Sequence, residues 1–288
     1  MKKFVLLIIT LLSAVPAHAQ SLLVGSYNVR YQNTSDSLKG NGWERRLPEL
    51  CAQIDFLRPD IFGTQECLAA QLDDLQTGLP AYRHIGVGRD DGISRGEHSA
   101  IFYRTDRLRL LRSGNFWLSQ TPDVPSKGWD AALPRICTWG EFEDAASRQR
   151  FFFFNLHFDH VGTTARKESA RLILYKTKEI AGNAPIVLTG DFNVDQRSEP
   201  YLVLTADSYL KDTYVCTRQR YAPTGTFNSF DPDKHTDSRI DHIFVSPTIF
   251  VENYAVLTDG YWDEQGQRRT LSDHYPVLAR ISFSALQP

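Results

Sequence analysis

The sequence predicts a single domain of the α/β or α+β sandwich class, spanning roughly residues 22–284. Short apolar runs recur along the chain, two longer segments carry helical spacing, and Phe151-Phe152-Phe153-Phe154 needs cover on both faces. The chain has no solenoid-period repeat, no low-complexity tract and no Gly/Ser linker to divide it.

The expected strands are Leu22 to Tyr27, Ile61 to Gly63, Ala100 to Tyr103, Leu108 to Leu111, Phe151 to Leu156, Ile186 to Leu188, Ile243 to Val245 and Val277 to Ile281. Each is short and bounded by polar, Gly or Pro residues, as strands are. Between Trp43 and Leu57 the apolar positions Leu47, Leu50, Ile54 and Leu57 recur at three and four residues, and Pro59 ends the pattern. Between Ala165 and Ile180, Ala170, Leu172, Ile173, Tyr175 and Ile180 form an apolar face, with Gly182 as a stop. Ser113 to Thr138, with Trp117, Trp129 and three prolines, reads as a long ordered loop that either walls a pocket or plugs the side of the sandwich.

Met1-Lys2-Lys3, an apolar run from Phe4 to Val15 and Ala17-His18-Ala19 have the three parts of a cleaved signal peptide over residues 1–19. The expectation is a secreted or periplasmic bacterial protein. The apolar run falls short of the roughly 20 residues a membrane span needs, and no later stretch is long enough. Cys51, Cys67, Cys137 and Cys216 show no metal-binding spacing, and both disulfides and free thiols are compatible with it.

Lys and Arg number 32 against 34 Asp and Glu, a net charge of −2; without Lys2 and Lys3 the balance is 30 against 34, or −4. Such a protein is not a bulk electrostatic trap for nucleic acid. Phosphate chemistry here must rest on a local site, with a metal ion supplying positive charge.

Polar residues cluster at the strand ends. Asn28, Glu66, the trio His157, Asp159 and His160, the pair Asp191 and Asn193, then Asp241 and Asp273-His274 each adjoin an expected strand. One such residue makes a turn. Six loaded termini converging on one end of a sheet make a cleft whose like charges repel unless a cation sits among them. Oxygen-rich donors without a Cys or His cluster suit Mg²⁺ or Mn²⁺, which polarise a phosphoryl oxygen while a carboxylate orients water.

Ser26-Tyr27-Asn28-Val29, Gln65-Glu66, Asn155-Leu156-His157, Gly190-Asp191-Phe192-Asn193, Arg239-Ile240-Asp241-His242 and Ser272-Asp273-His274-Tyr275-Pro276-Val277 together resemble the ordered motifs of the endonuclease/exonuclease/phosphatase superfamily. The resemblance covers about residues 22–283. It implies a four-layered α/β sandwich, two packed mixed β-sheets flanked by helices, with the site at one end of the sheets. It also implies Glu66 as principal metal ligand, supported by Asn28, with Asp273 in or beside the metal site. Asp191 and Asn193 would position water and phosphate, His157 would contact phosphate, and His274 paired with Asp241 would act as general acid/base or transition-state stabiliser.

Glu97 resembles a glutamate of the nuclease and sphingomyelinase branches, with an exposed loop carboxylate as the alternative. His160 and Arg166, just beyond His157, read as further substrate contacts, with solvent-exposed charges at a helix start as the alternative. Arg30 stands where the abasic-site repair branch carries a carboxylate, and a cation there suits a further substrate phosphate.

Two substrate classes follow for a Mg²⁺- or Mn²⁺-dependent phosphoester hydrolase. The main reading is a phosphodiesterase or nuclease, in the manner of 3′-5′ deadenylase-like exonucleases, with Trp117, Trp129 and Tyr31 stacking on bases. The alternative is a phosphatase or phosphodiesterase for a small compound: a phospholipid head group, inositol phosphate or sugar phosphate. A binding module that has lost catalysis is disfavoured, because Asn28, Glu66, His157, Asp191, Asn193, Asp241 and His274 are all present. No obligate protein partner is evident.

Overall fold

The computed structural model describes residues 21–283, so the expected leader and residue 284 lie outside the described residues. The chain begins with β1 (Leu22–Asn28), α1 (Thr34–Leu38), α2 (Trp43–Leu57), β2 (Ile61–Gln65), α3 (Ala69–Gly78), β3 (Tyr82–Ile85) and β4 (Ile101–Arg104). It continues with β5 (Leu108–Trp117), β6 (Ile136–Asp144), β7 (Arg150–His157), α4 (Thr163–Ala181), β8 (Ile186–Asp191) and α5 (Glu199–Thr205). Then come β9 (Lys211–Asp212), α6 (Thr213–Cys216), β10 (Gln219–Tyr221), β11 (Asp241–Val245), β12 (Ile249–Val256), β13 (Gly260–Trp262), β14 (Arg268–Thr270) and β15 (Val277–Phe283).

The strands form a seven-stranded sheet in the order β10-β12-β15-β1-β2-β4-β3, a six-stranded sheet in the order β5-β6-β7-β8-β11-β9, and the β13-β14 hairpin. Both large sheets are mixed: β1 runs parallel to β2 and β7 parallel to β8, while β1 meets β15 and β8 meets β11 antiparallel.

Three apolar cores separate four layers. Between the sheets lie Val24, Ile61, Phe151, Phe153, Val187, Ile243, Val277 and their neighbours. Outside the six-stranded sheet, Phe152, Phe154, Leu188 and Phe244 pack on Ala170 and Ile173 of α4 and Leu204 of α5. Outside the seven-stranded sheet, Tyr27, Phe62 and Phe102 meet Leu50 and Ile54 of α2 and Leu72 and Leu75 of α3. The four consecutive phenylalanines alternate between inner and outer cores, as the period of two in a strand dictates. The protein is a four-layered α/β sandwich.

The helix ends follow local chemistry. Arg58 adopts a left-handed φ of 49° with its N–H on the Ile54 carbonyl, and Pro59 then prevents continuation of α2. Gly182 closes α4 with φ 57°. The segment 113–138, read as loop, is largely strand at its two ends. A bulge between Leu110 and Arg112 breaks the alternation of β5, and buried Glu143 and Asp144 hide β6 behind ion pairs to Arg109, Arg148, Arg150 and Arg107. All four cysteines are free thiols. Among the described residues no helix is long and apolar enough to cross a membrane.

Candidate active site

Strand register brings the polar strand ends together. Asn28 ends β1 opposite Gln65 of β2, His157 ends β7 opposite Asp191 of β8, and Asp241 opens β11 opposite the same Asp191. The two sheets are bolted together just beneath these ends by Asn155. Its Oδ1 accepts from Gln65 Nε2 at 2.7 Å and Thr189 Oγ1 at 3.0 Å, and its Nδ2 donates to the carbonyls of Thr64 and Ala100. Gly63 faces this amide so closely that any Cβ would collide with it.

Three site residues take left-handed backbone conformations that side chains disfavour: Arg30, Glu66 and Asn193, with φ of 60°, 66° and 50°. Such strain persists only where surroundings hold it, and here it turns each side chain off its strand into the cleft.

Asn28 clamps two carboxylates, its Nδ2 lying 2.9 Å from Glu66 Oε1 and 3.0 Å from Asp191 Oδ2. Its Oδ1 accepts the Arg30 N–H, which fixes the amide orientation and turns the oxygen away from those carboxylates. Glu66 Oε2 accepts the Tyr31 N–H. Asn193 places Nδ2 3.0 Å from His157 Nε2, and its N–H donates to Asp191 Oδ1. An amide NH₂ only donates, so His157 Nε2 accepts and the ring proton sits on Nδ1. Across the cleft His274 Nδ1 lies 2.8 Å from Asp241 Oδ2, with His274 Nε2 3.8 Å from Asp191 Oδ2. Ser272 Oγ donates to the Asn28 carbonyl at 2.7 Å, tying the His274 segment to β1.

The electrostatics are those of crowded buried charge. Burial and the neighbouring Asp241 push the Asp191 carboxyl up to about 7. Burial also raises Asp273 and Glu97, with the Glu66 charge adding to both. Burial and the charges of Arg135 and Arg89 hold His157 well below the usual imidazole range. Burial alone would lower His274, but Asp241 and Asp191 overcome it and keep the ring well above that range.

Among the described residues, two groups offer converging ligand atoms: Glu66, His157 and Asp191, and Asp191, Asp241 and His274. The second is compensated internally by the Asp241–His274 pair. The first pairs two carboxylates with a neutral imidazole and leaves a net negative pocket. Hard oxygen donors with uncompensated charge fit a divalent cation such as Mg²⁺ or Mn²⁺.

A cleft of about 420 Å³ opens over these groups, lined by Arg30, Glu66, Glu97, His157, His160, Asp191, Asn193, Asp273 and His274. Asn28 and Asp241 support it from behind. Tyr31, named from the sequence as a stacking residue, lines this cleft, whereas sequence reasoning missed Leu133, Arg135, Phe227 and Ile240. It also missed Arg46, whose buried guanidinium donates to the carbonyls of Val29, Arg30 and Leu271, and Thr226, whose Oγ1 accepts the N–H groups of Ile240 and Asp241. Three expected substrate contacts lie apart from the cleft lining. Trp117 is a correction: only 6% exposed, with Nε1 donating to the Arg89 carbonyl, it has no free face for a base. Trp129 is half-buried in the segment between β5 and β6, and Arg166 donates to the Asp159 carbonyl.

A four-layered sandwich carrying paired carboxylates, amides and imidazoles at one end of its sheets defines a phosphoester hydrolase with a candidate metal site. The model of the Endonuclease/Exonuclease/phosphatase family matches residues 25–274, and the chain belongs to that family. It is 53% identical to a Bacteroides thetaiotaomicron protein of the same family, covering 92% of this chain and 99% of that one with a TM-score of 0.91. It is likewise 53% identical to a mannosyl-6-phosphatase of Bacteroides thetaiotaomicron, covering 91% and 100% with a TM-score of 0.89. The human Nocturnin catalytic domain shares the fold at 18% identity, covering 92% and 94% with a TM-score of 0.69.

Proposed function

We propose that the protein is a Mg²⁺- or Mn²⁺-dependent phosphatase that removes a terminal phosphate from a hexose, with mannose 6-phosphate, free or as a glycan end, as the first candidate. The observation that carries this reading is the 53% identity, over nearly the whole of both chains, to a mannosyl-6-phosphatase. The cleft agrees with it. Its volume of about 420 Å³ lies in the range of small-molecule pockets, and Tyr31, Leu133, Phe227 and Ile240 give it apolar walls. Of the exposed arginines outside it, Arg95 is matched by Asp91, Arg112 by Glu141 and Arg197 by Asp195 and Asp237, which reduces the free positive charge open to a polynucleotide. These features favour the small-substrate alternative over the exonuclease reading.

Glu66 and Asp191 would hold the ion, which when bound supplies Lewis-acid polarisation of a phosphoryl oxygen. Asp191, as carboxylate, orients the attacking water and takes its proton. The cationic ring of His274, held by Asp241, balances negative charge growing on the phosphoryl group and gives its Nε2 proton to the hexose oxygen as the P–O bond breaks. Asn193, whose Nδ2 hydrogens go to His157 Nε2 and the Phe158 carbonyl, orients the His157 ring, and the unpartnered His157 Nδ1–H is left to meet the phosphate. We further propose a periplasmic or extracellular location, on the signal-peptide pattern of residues 1–19, with cleavage near Ala19.

The test is phosphate release with Mn²⁺ from mannose 6-phosphate, glucose 6-phosphate and p-nitrophenyl phosphate, beside a product ladder from 5′-labelled single-stranded RNA. A kcat/KM for a hexose phosphate about 100-fold above the generic ester is the expected result, equal to roughly 3 kcal/mol of recognition. An RNA ladder that disappears in Asp191→Ala, without hexose phosphate turnover, overturns the reading.

A further inference from the structure

The cleft contains two like-charge groupings, and only one lacks a cation. Between Glu66 and Asp191, joined through Asn28 Nδ2, no guanidinium or ammonium lies among the described residues, and Asp191 meets only the imidazoles of His157 and His274. Glu66 and Asp273 instead share Arg30, whose Nη1 lies 3.8 Å from Glu66 Oε2 and 3.6 Å from Asp273 Oδ2. A guanidinium between two carboxylates does electrostatically what a metal ion would do there.

Arg30 is built into this place from both ends. Its backbone N–H donates to Asn28 Oδ1, its carbonyl accepts from Arg46 Nη2 and Gln71 Nε2, and its φ of 60° aims the side chain into the cleft. At the other end Nε donates to Asp36 Oδ2 at 2.8 Å, and Asn33 Nδ2 holds the same oxygen. The guanidinium also lies 4.8 Å from the Tyr31 ring centroid. Among the described residues, the hydrogen bonding of this side chain runs through Nε alone, which leaves the Nη groups to donate to oxygens in the cleft.

We propose that Arg30 fills the second cation position of this centre, so that the protein takes one divalent ion, at Glu66 and Asp191, and binds the substrate phosphoryl oxygens between that ion and the Arg30 Nη groups. The proposal rests on the metal-dependent phosphatase reading for the phosphoryl contact. The ion count rests on Arg30 alone and needs no substrate, so the two fail separately.

The experiment is an EPR titration of the full chain with Mn²⁺ in the absence of substrate, following loss of the free aqueous Mn²⁺ signal. One equivalent per chain is expected for the wild type. Arg30→Gln should keep one equivalent and bind it about tenfold more tightly, since a like charge near the ion is gone. Arg30→Lys keeps the charge and should bind Mn²⁺ within about threefold of wild type. Arg30→Asp should take up a second equivalent. Two equivalents in the wild type overturn the proposal, as does a Gln variant whose affinity matches both wild type and Lys variant. If Arg30→Asp does not fold, as judged by thermal melting, the Gln and Lys pair decides the question.

Discussion

Asp241 and His274 face each other across 2.8 Å, Oδ2 to Nδ1, while the second Asp241 oxygen, Oδ1, is buried with no hydrogen-bond partner. Thr226 Oγ1 holds the Asp241 backbone, and Ser272 holds the His274 segment against β1. The carboxylate therefore spends its side-chain hydrogen bonding on the imidazole: it fixes the ring's orientation and keeps it cationic.

Asp241→Asn removes that charge while preserving shape. The expected result is a kcat lower by roughly 10²–10⁴, with a melting temperature within a few degrees of wild type. Steady-state phosphate release and a thermal melt check it. A variant with wild-type kcat, set beside an inactive His274→Ala, would sink the assignment.

Glu66→Gln should do two opposite things. Glu66 adds its charge to those that raise Asp191, Asp273 and Glu97, so its neutralisation relieves a crowded negative cluster. In chelator the variant should be more stable than wild type by about 1 kcal/mol, a melting shift of roughly 2–4 °C. Mn²⁺ affinity should fall at least about tenfold, because a carboxylate donor has been replaced by an amide oxygen. Calorimetric titration and melting in EDTA separate the two effects.

Much of this architecture was legible in the sequence, for reasons that also mark where it stopped being so. The strands β1, β2, β7, β8 and β15 are apolar because one or both faces are buried, and their polar ends stand out by contrast. β6 stayed hidden because its buried Glu143 and Asp144 are neutralised by arginines on β5, on β7 and in the connecting turns. β12 stayed hidden because a bulge between Val251 and Asn253 interrupts its alternation. The same limit applies to the site. Asn28, Glu66, His157, Asp191, Asp241 and His274 adjoin strands in the sequence. Arg46 gains its role only by reaching the Leu271 carbonyl, 225 residues away, and Arg135 only by reaching Asp159 and His160. No local pattern encodes such partners.

The raised Asp191 carboxyl makes stability and metal binding depend on pH in a definite direction. Its folded value of about 7 lies above the ordinary carboxylate value, so the metal-free fold holds a proton that the unfolded chain releases. That contribution is complete below about pH 4 and is lost as pH rises through about 7. His274, raised by Asp241 and Asp191, acts in the same direction, its contribution fading at still higher pH. A cation replaces the lost proton, so the melting shift produced by Mn²⁺ over EDTA should grow between pH 5 and pH 8, both chosen to bracket about 7. Melts at four pH values with and without Mn²⁺ test this, and a shift that shrinks with rising pH would contradict it.

Arg135 supplies the last prediction because its three nitrogens have three different fates. Nε donates to Asp159 Oδ2 at 3.3 Å, Nη2 lies 2.9 Å from His160 Nδ1, and Nη1 is buried at the cleft without a partner. Asp159 does not depend on this arginine, since its oxygens also accept the N–H groups of Ala132, Leu133, Val161 and Gly162. Arg135→Leu should therefore cost only about 1–3 kcal/mol of stability, less than breaking a buried pair that leaves a bare charge. His160 is affected more. A guanidinium can only donate, so its bond obliges His160 Nδ1 to accept and leaves the ring proton on Nε2, where it can donate to a substrate oxygen. Without Arg135 the exposed ring loses both orientation and tautomer. KM for a hexose phosphate should rise about tenfold while kcat falls less, and His160→Ala should show the same split without further loss in the double variant. Additive losses in the two single variants would mean that Arg135 acts on substrate by its own Nη1 instead of through His160.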